Sequence, residues 1–396
     1  MSTEQHFVSF LPFVRLVQPV RIAGFEFAPF KDDREKVTSV LLGAQGPLEI
    51  ILSGYVDHTG KPIDDCVVVT KPGIGWDLSP DHMPDIRWAT SLLFLSVWSS
   101  NQYFTRHGWG HYVNSTSFRA IGQSYKGSLP EFVSTSIRMR HGRILGGGHR
   151  HGEFKFTMPM QCRVREVVHV DEPFLTALDA AQSAVAEVIK RLRTALSFVE
   201  LANTDDELIT EHAEAILMAS AFEQLVGSDD KYQLAKQFGD LFGQFGSAVV
   251  RDARQVRPQI KLAERREWAV AQEDWFVHRK WMEEVYDLRS SAVHTGSYDS
   301  REWGWDSSEH LVMAAQVFPL VVKLLLQREG YYPPTEEDQV RSLAVDQILS
   351  SPQWFDDEDD EDDSMNPAWK ILSKVRLNFV ADRFYKKHAT EERGPE

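Results

Sequence analysis

Cysteine is nearly missing from this chain. Only Cys66 and Cys162 occur in 396 residues, far apart and without CxxC spacing, which excludes a disulfide framework and a cysteine-built zinc site. Two buried free thiols are expected. Long apolar runs are lacking as well: the most apolar stretch, VMAAQVFPLVVKLLL from Val312 to Leu326, is too short to span a bilayer and contains Pro319 and Lys323. No membrane partner is expected. The first residues carry Glu4 and Arg15 among their apolar side chains and no small-residue cleavage site, so they do not read as a secretory signal and the protein is placed in the cytoplasm. A GxxxxGKS or GxxxxGKT phosphate loop is absent too, which leaves nucleotide transfer without its usual cradle. No cofactor and no metal are expected. Excess positive charge is the last thing missing. The net charge is −15, whereas proteins that coat nucleic acid without specificity are basic over the whole domain. Eight of those charges belong to one run, DDEDDEDD at Asp356 to Asp363, leaving −7 for the rest, so a local basic surface is compatible with the total.

With 42% hydrophobic and 11% aromatic residues, the chain can fill separate cores for two or three domains. From the start to about residue 170, short β-branched and aromatic runs are broken by Gly, Pro and Asp: HFVSFLPFVRLV, VTSVLLG, LEIILSGYV, DCVVVT, FVSTSIRMR and EFKFTMPMQCRVREVVHV. Alternation such as Phe154, Phe156 and Met158 is the period of a half-buried strand. After Pro173 the chain changes to helical periods: FLTALDAAQSAVAEVIKRLRTALSFVELA, DDELITEHAEAILMASAFEQLV, KYQLAKQFGDLFGQFGSAVV, WAVAQEDWFVHRKWMEEVYDLRSSAVH and SSEHLVMAAQVFPLVVKLLLQRE. These predict about five helices of a bundle. Asp205 and Asp206, and Ser307, Ser308 and Glu309, are residue types that open helices. The fold class expected is therefore α+β. A β-rich domain over 1–170 precedes an all-α bundle over 171–350, then a solvated acidic linker over 351–366 and a basic C-terminal helix and tail over 367–396. The last helix has an apolar stripe of Trp369, Leu372, Val375, Phe379 and Val380, fit to dock on the bundle or on a partner.

Chemistry is concentrated in YDLRSSAVHTGS, Tyr286 to Ser297. Met282, Val285, Leu288 and Ala292 form the expected buried stripe of a helix, with Arg289 beside it. Five residues turn an ideal helix by about 140°, so Arg289 and His294 converge only if the arginine reaches along the groove as the helix ends at Gly296, a common stop residue. Together they suit a phosphodiester. An imidazole can take a proton from a ribose 2′-hydroxyl or return one to the leaving oxygen, and a guanidinium can hold two phosphate oxygens while charge grows. Ser290 and Ser291, lying between, could hydrogen-bond the phosphate or the imidazole. The bland alternative is a surface arginine with a histidine favoured by the helix C-terminus.

YDLRSSAVHTG resembles the RxxxxH signature of the HEPN superfamily, specifically the Apea-like HEPN domains, in which the motif closes a late helix of an α-bundle. AILMASAFEQLVGSDDKYQLAKQFGDLF is similar to the family's paired helices, with a glutamate in the first and a lysine-led start to the next, and LVMAAQVFPLVVKLLL to the apolar helix after the motif. The resemblance covers about residues 175 to 330. It implies a metal-independent endoribonuclease of the toxin or anti-phage kind. Arg289 and His294 would be its catalytic pair in a cleft formed where two bundles dimerise, with Ser290 and Glu223 as polar partners. Many active members carry Asn or Asp directly after the arginine, where this chain has Ser290.

RDARQVRPQIKLAERRE, Arg251 to Glu267, is predominantly basic. Arg251, Arg254, Arg257 and Lys261 are candidate phosphate contacts, with Arg279 and Lys280 further along and Trp281 as a base-stacking residue. HGRILGGGHRHG, His141 to Gly152, has three histidines around a glycine loop but no carboxylate or cysteine set beyond Glu153, so a hairpin is favoured over a metal site. The expected partners are RNA, a second copy of the bundle, and a phage or cellular trigger at the β-rich domain. The competing expectation is a non-catalytic RNA-binding or protein-interaction scaffold.

Overall fold

The computed structural model describes residues 5–31, 48–49, 52, 55–56, 60–61, 63–110, 113–126, 133–138, 144–149, 156–157, 167–204, 208–295, 303–352, 354 and 365–391. The expected strand at 37–43, the helix openings at Asp205 and Asp206, Cys162, Phe154, Met158, Gly296, the histidines at 141 and 151 and the acidic run lie outside them. The chain is α+β, with a small antiparallel sheet before a helical region. It divides into two compact units, one of residues 1–100, 113–183 and 203–205, the other of residues 101–112, 184–202 and 206–396.

In the first unit, strands β1 (Gln5–Leu11), β2 (Val20–Ile22), β3 (Phe25–Lys31), β5 (Asp65–Thr70) and β8 (Ile121–Lys126) form one antiparallel sheet in the order β2-β3-β5-β1-β8. β4 (Tyr55–Val56) pairs with β11 (Phe156–Thr157). DCVVVT lies inside the sheet, which is why it reads as an unbroken apolar run: all but its first residue are buried. Val8, Phe10, Ala28, Phe30, Tyr55, Cys66 and Val68 share one core. β2 and β3 are joined by Ala23 and Gly24, both at positive φ, the conformation of a two-residue hairpin whose twist matches its strands. FVSTSIRMR and the glycine loop appear as the antiparallel pair β9 (Val133–Arg138) and β10 (Ile144–His149). Gly146, Gly147 and Gly148 fall within β10 rather than in its turn.

This unit also has helix α1 (Met83–Ser100) and helix α2 (Glu172–Ser183). The Ser99 hydroxyl donates to Asp171 at 2.7 Å and the Trp88 indole donates to Gln182 at 2.8 Å, tying the two together.

The second unit holds α3 (Glu187–Ala202), α4 (Glu211–Val226), α5 (Lys231–Phe242), α6 (Val250–Val256), α7 (Arg266–Glu273), α8 (Val277–Thr295), α9 (Ser307–Arg328), α10 (Glu336–Ser350) and α11 (Pro367–Glu391). It also holds the short hairpin of β6 (Phe104–Thr105) and β7 (Gly108–Trp109). Three expected helices are interrupted: 174–202 breaks at a positive-φ Val185, 231–250 ends at Phe242, and 268–294 divides around Trp275. α9 is long and apolar enough to cross a membrane by length and composition, but 94% of its apolar window is buried inside the protein. It is a core helix. Its opening is Asp306, whose side chain accepts from the Glu309 amide while Glu309 reaches back to the Asp306 amide, a reciprocal cap that satisfies two otherwise orphaned donors. The centre is aromatic, with Phe222, Phe238, Phe318 and Trp281 in edge and tilted contacts.

Candidate active site

Two helices build the site. α4 ends at Gly227, in the left-handed conformation at φ 83°, whose amide returns to the Glu223 carbonyl. Glu223 therefore lies in the last turn of α4, where helix carbonyls already concentrate negative charge, and it is only 7% exposed. A lone carboxylate there would be costly. α8 supplies its counter-ion: Arg289 Nη1 lies 3.0 Å from Glu223 Oε1. The approach is off the N–H direction, so this is an ion pair rather than an aligned hydrogen bond. Burial pushes the Glu223 carboxyl above the usual range, the Arg289 charge pulls it down and Asp229 pushes it up.

Arg289 is not consumed by this pairing. Its side chain stays 34% exposed, and its guanidinium lies 6.0 Å from the centre of the Tyr286 ring. Tyr286 donates its hydroxyl to the Asp229 carbonyl at 3.1 Å, anchoring α8 to the turn between α4 and α5. Below it, Lys231 at the start of α5 bonds Asp287 at 2.6 Å and lies 3.5 Å from Glu283. The positions 283, 287, 290 and 294 then fall on one row of α8, because steps of four, three and four residues return to nearly the same face. Ser290 is half-buried, and α8 continues through Thr295, so position 294 is helical and tops this row. Arg289 is turned toward α4, away from the row, as the five-residue spacing requires.

Met282, Val285 and Leu288 of the expected stripe are buried; the side chain of Ala292 lies outside the described ones. Three of the expected RNA contacts are corrected. Trp281 is 0% exposed and packed among Phe222, Phe238 and His310, where no base can reach it. Lys280 is buried, held by Glu283 at 2.5 Å and by Gln272. Arg257 is 2% exposed and donates to the carbonyls of Ser351 and Gly304 and to both oxygens of Glu309. The common reason is that each of these groups has found its partner inside the fold. Arg254 is half-buried and donates to the Ile260 carbonyl at 3.0 Å. The Arg279 guanidinium carbon lies over the Trp275 ring, 3.6 Å from its centre, and burial lowers its pKa. Arg251 is exposed and paired with Asp274; Lys261 is exposed.

Sequence reasoning missed Lys231, Asp287 and Tyr286. The signal was the sequence YDLR itself, which puts an aromatic hydroxyl and a carboxylate one turn below Ser290. Among the described residues, no group of three or more His, Cys, Asp and Glu side chains is arranged to hold a metal ion. No family model, curated protein or solved structure matches this chain.

Proposed function

We propose that the helical unit is a metal-independent endoribonuclease of the HEPN kind, with Arg289 stabilising the phosphate and His294 moving the proton. The observation that carries this reading is the Arg289 to Glu223 pairing at 3.0 Å. It brings together, from a late and an earlier helix, two residues that the resemblance assigns to one site. A buried glutamate holding one edge of a half-exposed guanidinium leaves its other edge for a phosphate oxygen. Ser290, half-buried on the row that ends at position 294, supplies a hydroxyl that can donate and accept. In this reading the ribose 2′-oxygen attacks the adjacent phosphorus, the P–O5′ bond breaks, and the product is a 2′,3′-cyclic phosphate. RNA, a second copy of the bundle, a cytoplasmic setting and an anti-phage trigger belong to the same proposal.

The same ion pair also favours a second reading. A carboxylate held against Arg289 competes with phosphate, as expected of a scaffold in which the two residues merely stitch α4 to α8.

Cleavage of total RNA and tRNA in EDTA separates the two, with wild type beside His294→Ala and Arg289→Ala. Cutting that leaves 2′,3′-cyclic ends and disappears in both variants is expected. RNA bound equally by all three proteins, with none cutting, would leave the scaffold.

A further inference from the structure

Tyr232 and Trp268 form an aromatic pair on the surface of the helical unit. Their ring centres are 5.0 Å apart at an interplanar angle of 39°, and the residues are 38% and 43% exposed. Neither ring is there to fill the core. α7, which carries Trp268, has Gln272 as its only buried residue, and Tyr232 is the second residue of α5, with Gln233 beside it equally outside. Large aromatic side chains left at the surface forgo much of their transfer free energy, so a pair of them in contact marks a surface suited to a flat ligand.

The surroundings narrow the ligand. On and beside the two helices that carry the pair, Lys236, Arg265 and Arg266 are exposed, and so are the carboxylates Asp230, Asp240, Glu264 and Glu267. Lys231 lies with its ammonium 5.6 Å from the Tyr232 ring centre while bonding Asp287. Asp287 belongs to the row of α8 that rises from Glu283 through Ser290 to position 294. The platform therefore stands at the foot of the row whose top is the proposed proton-transfer position. Basic side chains beside exposed aromatic faces are the recognised means of holding single-stranded nucleic acid, the charges following the backbone and the rings stacking on bases of any sequence.

We infer that Tyr232 and Trp268 are a base-stacking subsite for single-stranded RNA flanking the Arg289 site. The two rings already touch, so a base stacks on an outer face of the pair rather than between them. This inference rests on the proposed ribonuclease reading, and it predicts a sequence-tolerant grip on an unpaired nucleotide.

The test is fluorescence anisotropy with a short fluorescein-labelled oligouridine in EDTA, using the full chain in the His294→Ala background so that the probe stays whole. Trp268→Ala and Tyr232→Ala should each weaken binding on the order of tenfold, and Trp268→Phe should restore most of it, which a purely charge-based or structural role would not. Matched thermal melts are expected because both side chains are surface groups. Alanine variants that bind as tightly as their parent, while Arg289→Ala binds more weakly, would overturn the platform and leave the ribonuclease reading standing. A parent that binds no single-stranded RNA at low salt would overturn both.

Discussion

Replacing Arg257 tests whether this arginine belongs to the interior or to an RNA-facing surface. Its guanidinium donates to Ser351 at 2.7 Å, to Gly304 at 2.9 Å and to Glu309 Oε2 at 3.0 Å, and it pairs with the other Glu309 oxygen as well. Glu309 is 6% exposed and also accepts from the Asp306 amide as half of the α9 cap. Arg257→Ala therefore leaves a buried carboxylate without its counter-ion, and breaking a buried pair this way costs about 3–5 kcal/mol. Arg257→Met with Glu309→Met removes both charges, so the remaining loss comes mainly from the orphaned Gly304 and Ser351 carbonyls, about 1–3 kcal/mol each. The losses of Arg257→Met and Glu309→Met made singly should sum to about 0.5–3 kcal/mol more than that of the double variant, as expected for coupled partners. Urea denaturation followed by far-UV circular dichroism reads each loss. A loss below about 1 kcal/mol for Arg257→Ala, the size typical of solvent-exposed pairs, would refute the buried assignment.

Val185 and Glu214 offer independent tests of the helical framework. Val185 sits at φ 53°, where an L side chain costs about 1–2 kcal/mol. Val185→Gly should stabilise the chain by about 0.5–1 kcal/mol after the entropy glycine adds to the unfolded state, read as a higher urea midpoint; an unchanged or lower midpoint contradicts the strain. Burial, and then the charge of Glu211, lift the Glu214 carboxyl from 4.5 to about 7. The folded state thus keeps a proton that the unfolded state releases, and this group lowers stability as pH rises from 4.5 to about 7. Glu214→Gln should match wild type near the low end of that window and be the more stable protein above its top. An advantage of equal size at both ends would show that protonation is not the cause.

Much of the architecture was legible because its periods are strong. DCVVVT is β5 residue for residue, and SSEHLVMAAQVFPLVVKLLLQRE is α9 apart from its last residue, with Asp306 as the cap. α1 was missed although LLFLSVW lies within it, because a helix buried on most of its faces shows no polar stripe and a short apolar run does not distinguish helix from strand. The break in 174–202 was missed for a different reason. SAVAEV contains no glycine or proline, and the chain turns at Val185 in a conformation that residue types alone disfavour. At the site, the pairing of Arg289 with Glu223 was anticipated through resemblance, whereas the fates of Lys280 and Arg257 were not. Basic residues in a charged-looking segment read as solvated, and only tertiary structure reveals that Gln272, Glu283 and Glu309 are waiting for them inside.

Those buried ions bear on how the site is positioned. α8 presents His278, Lys280, Glu283 and Glu284 inward together with Trp281, Met282, Val285 and Leu288. Each polar group has its partner: Lys280 bonds Glu283 within α8, and the others reach neighbouring segments. His278 meets Asp346 of α10 at 2.8 Å, Glu283 receives the Gln272 amide of α7 at 2.9 Å, and Glu284 accepts from the Trp305 amide at 3.1 Å and meets His310 of α9 at 3.1 Å. Gly304 lets the Trp305 segment come this close: a Cβ there would sit 2.9 Å from Ile260 and 3.1 Å from Glu284. An apolar stripe alone could pack in more than one axial register, but a slip of one helical turn would leave Glu283 or Glu284 buried and unpaired, a penalty of several kcal/mol. The charged lower half of α8 thereby fixes the register of its upper half. Arg289, one turn above Val285, can then meet Glu223 only in that register, so the costly polar interior and the exposed chemistry are two ends of the same constraint.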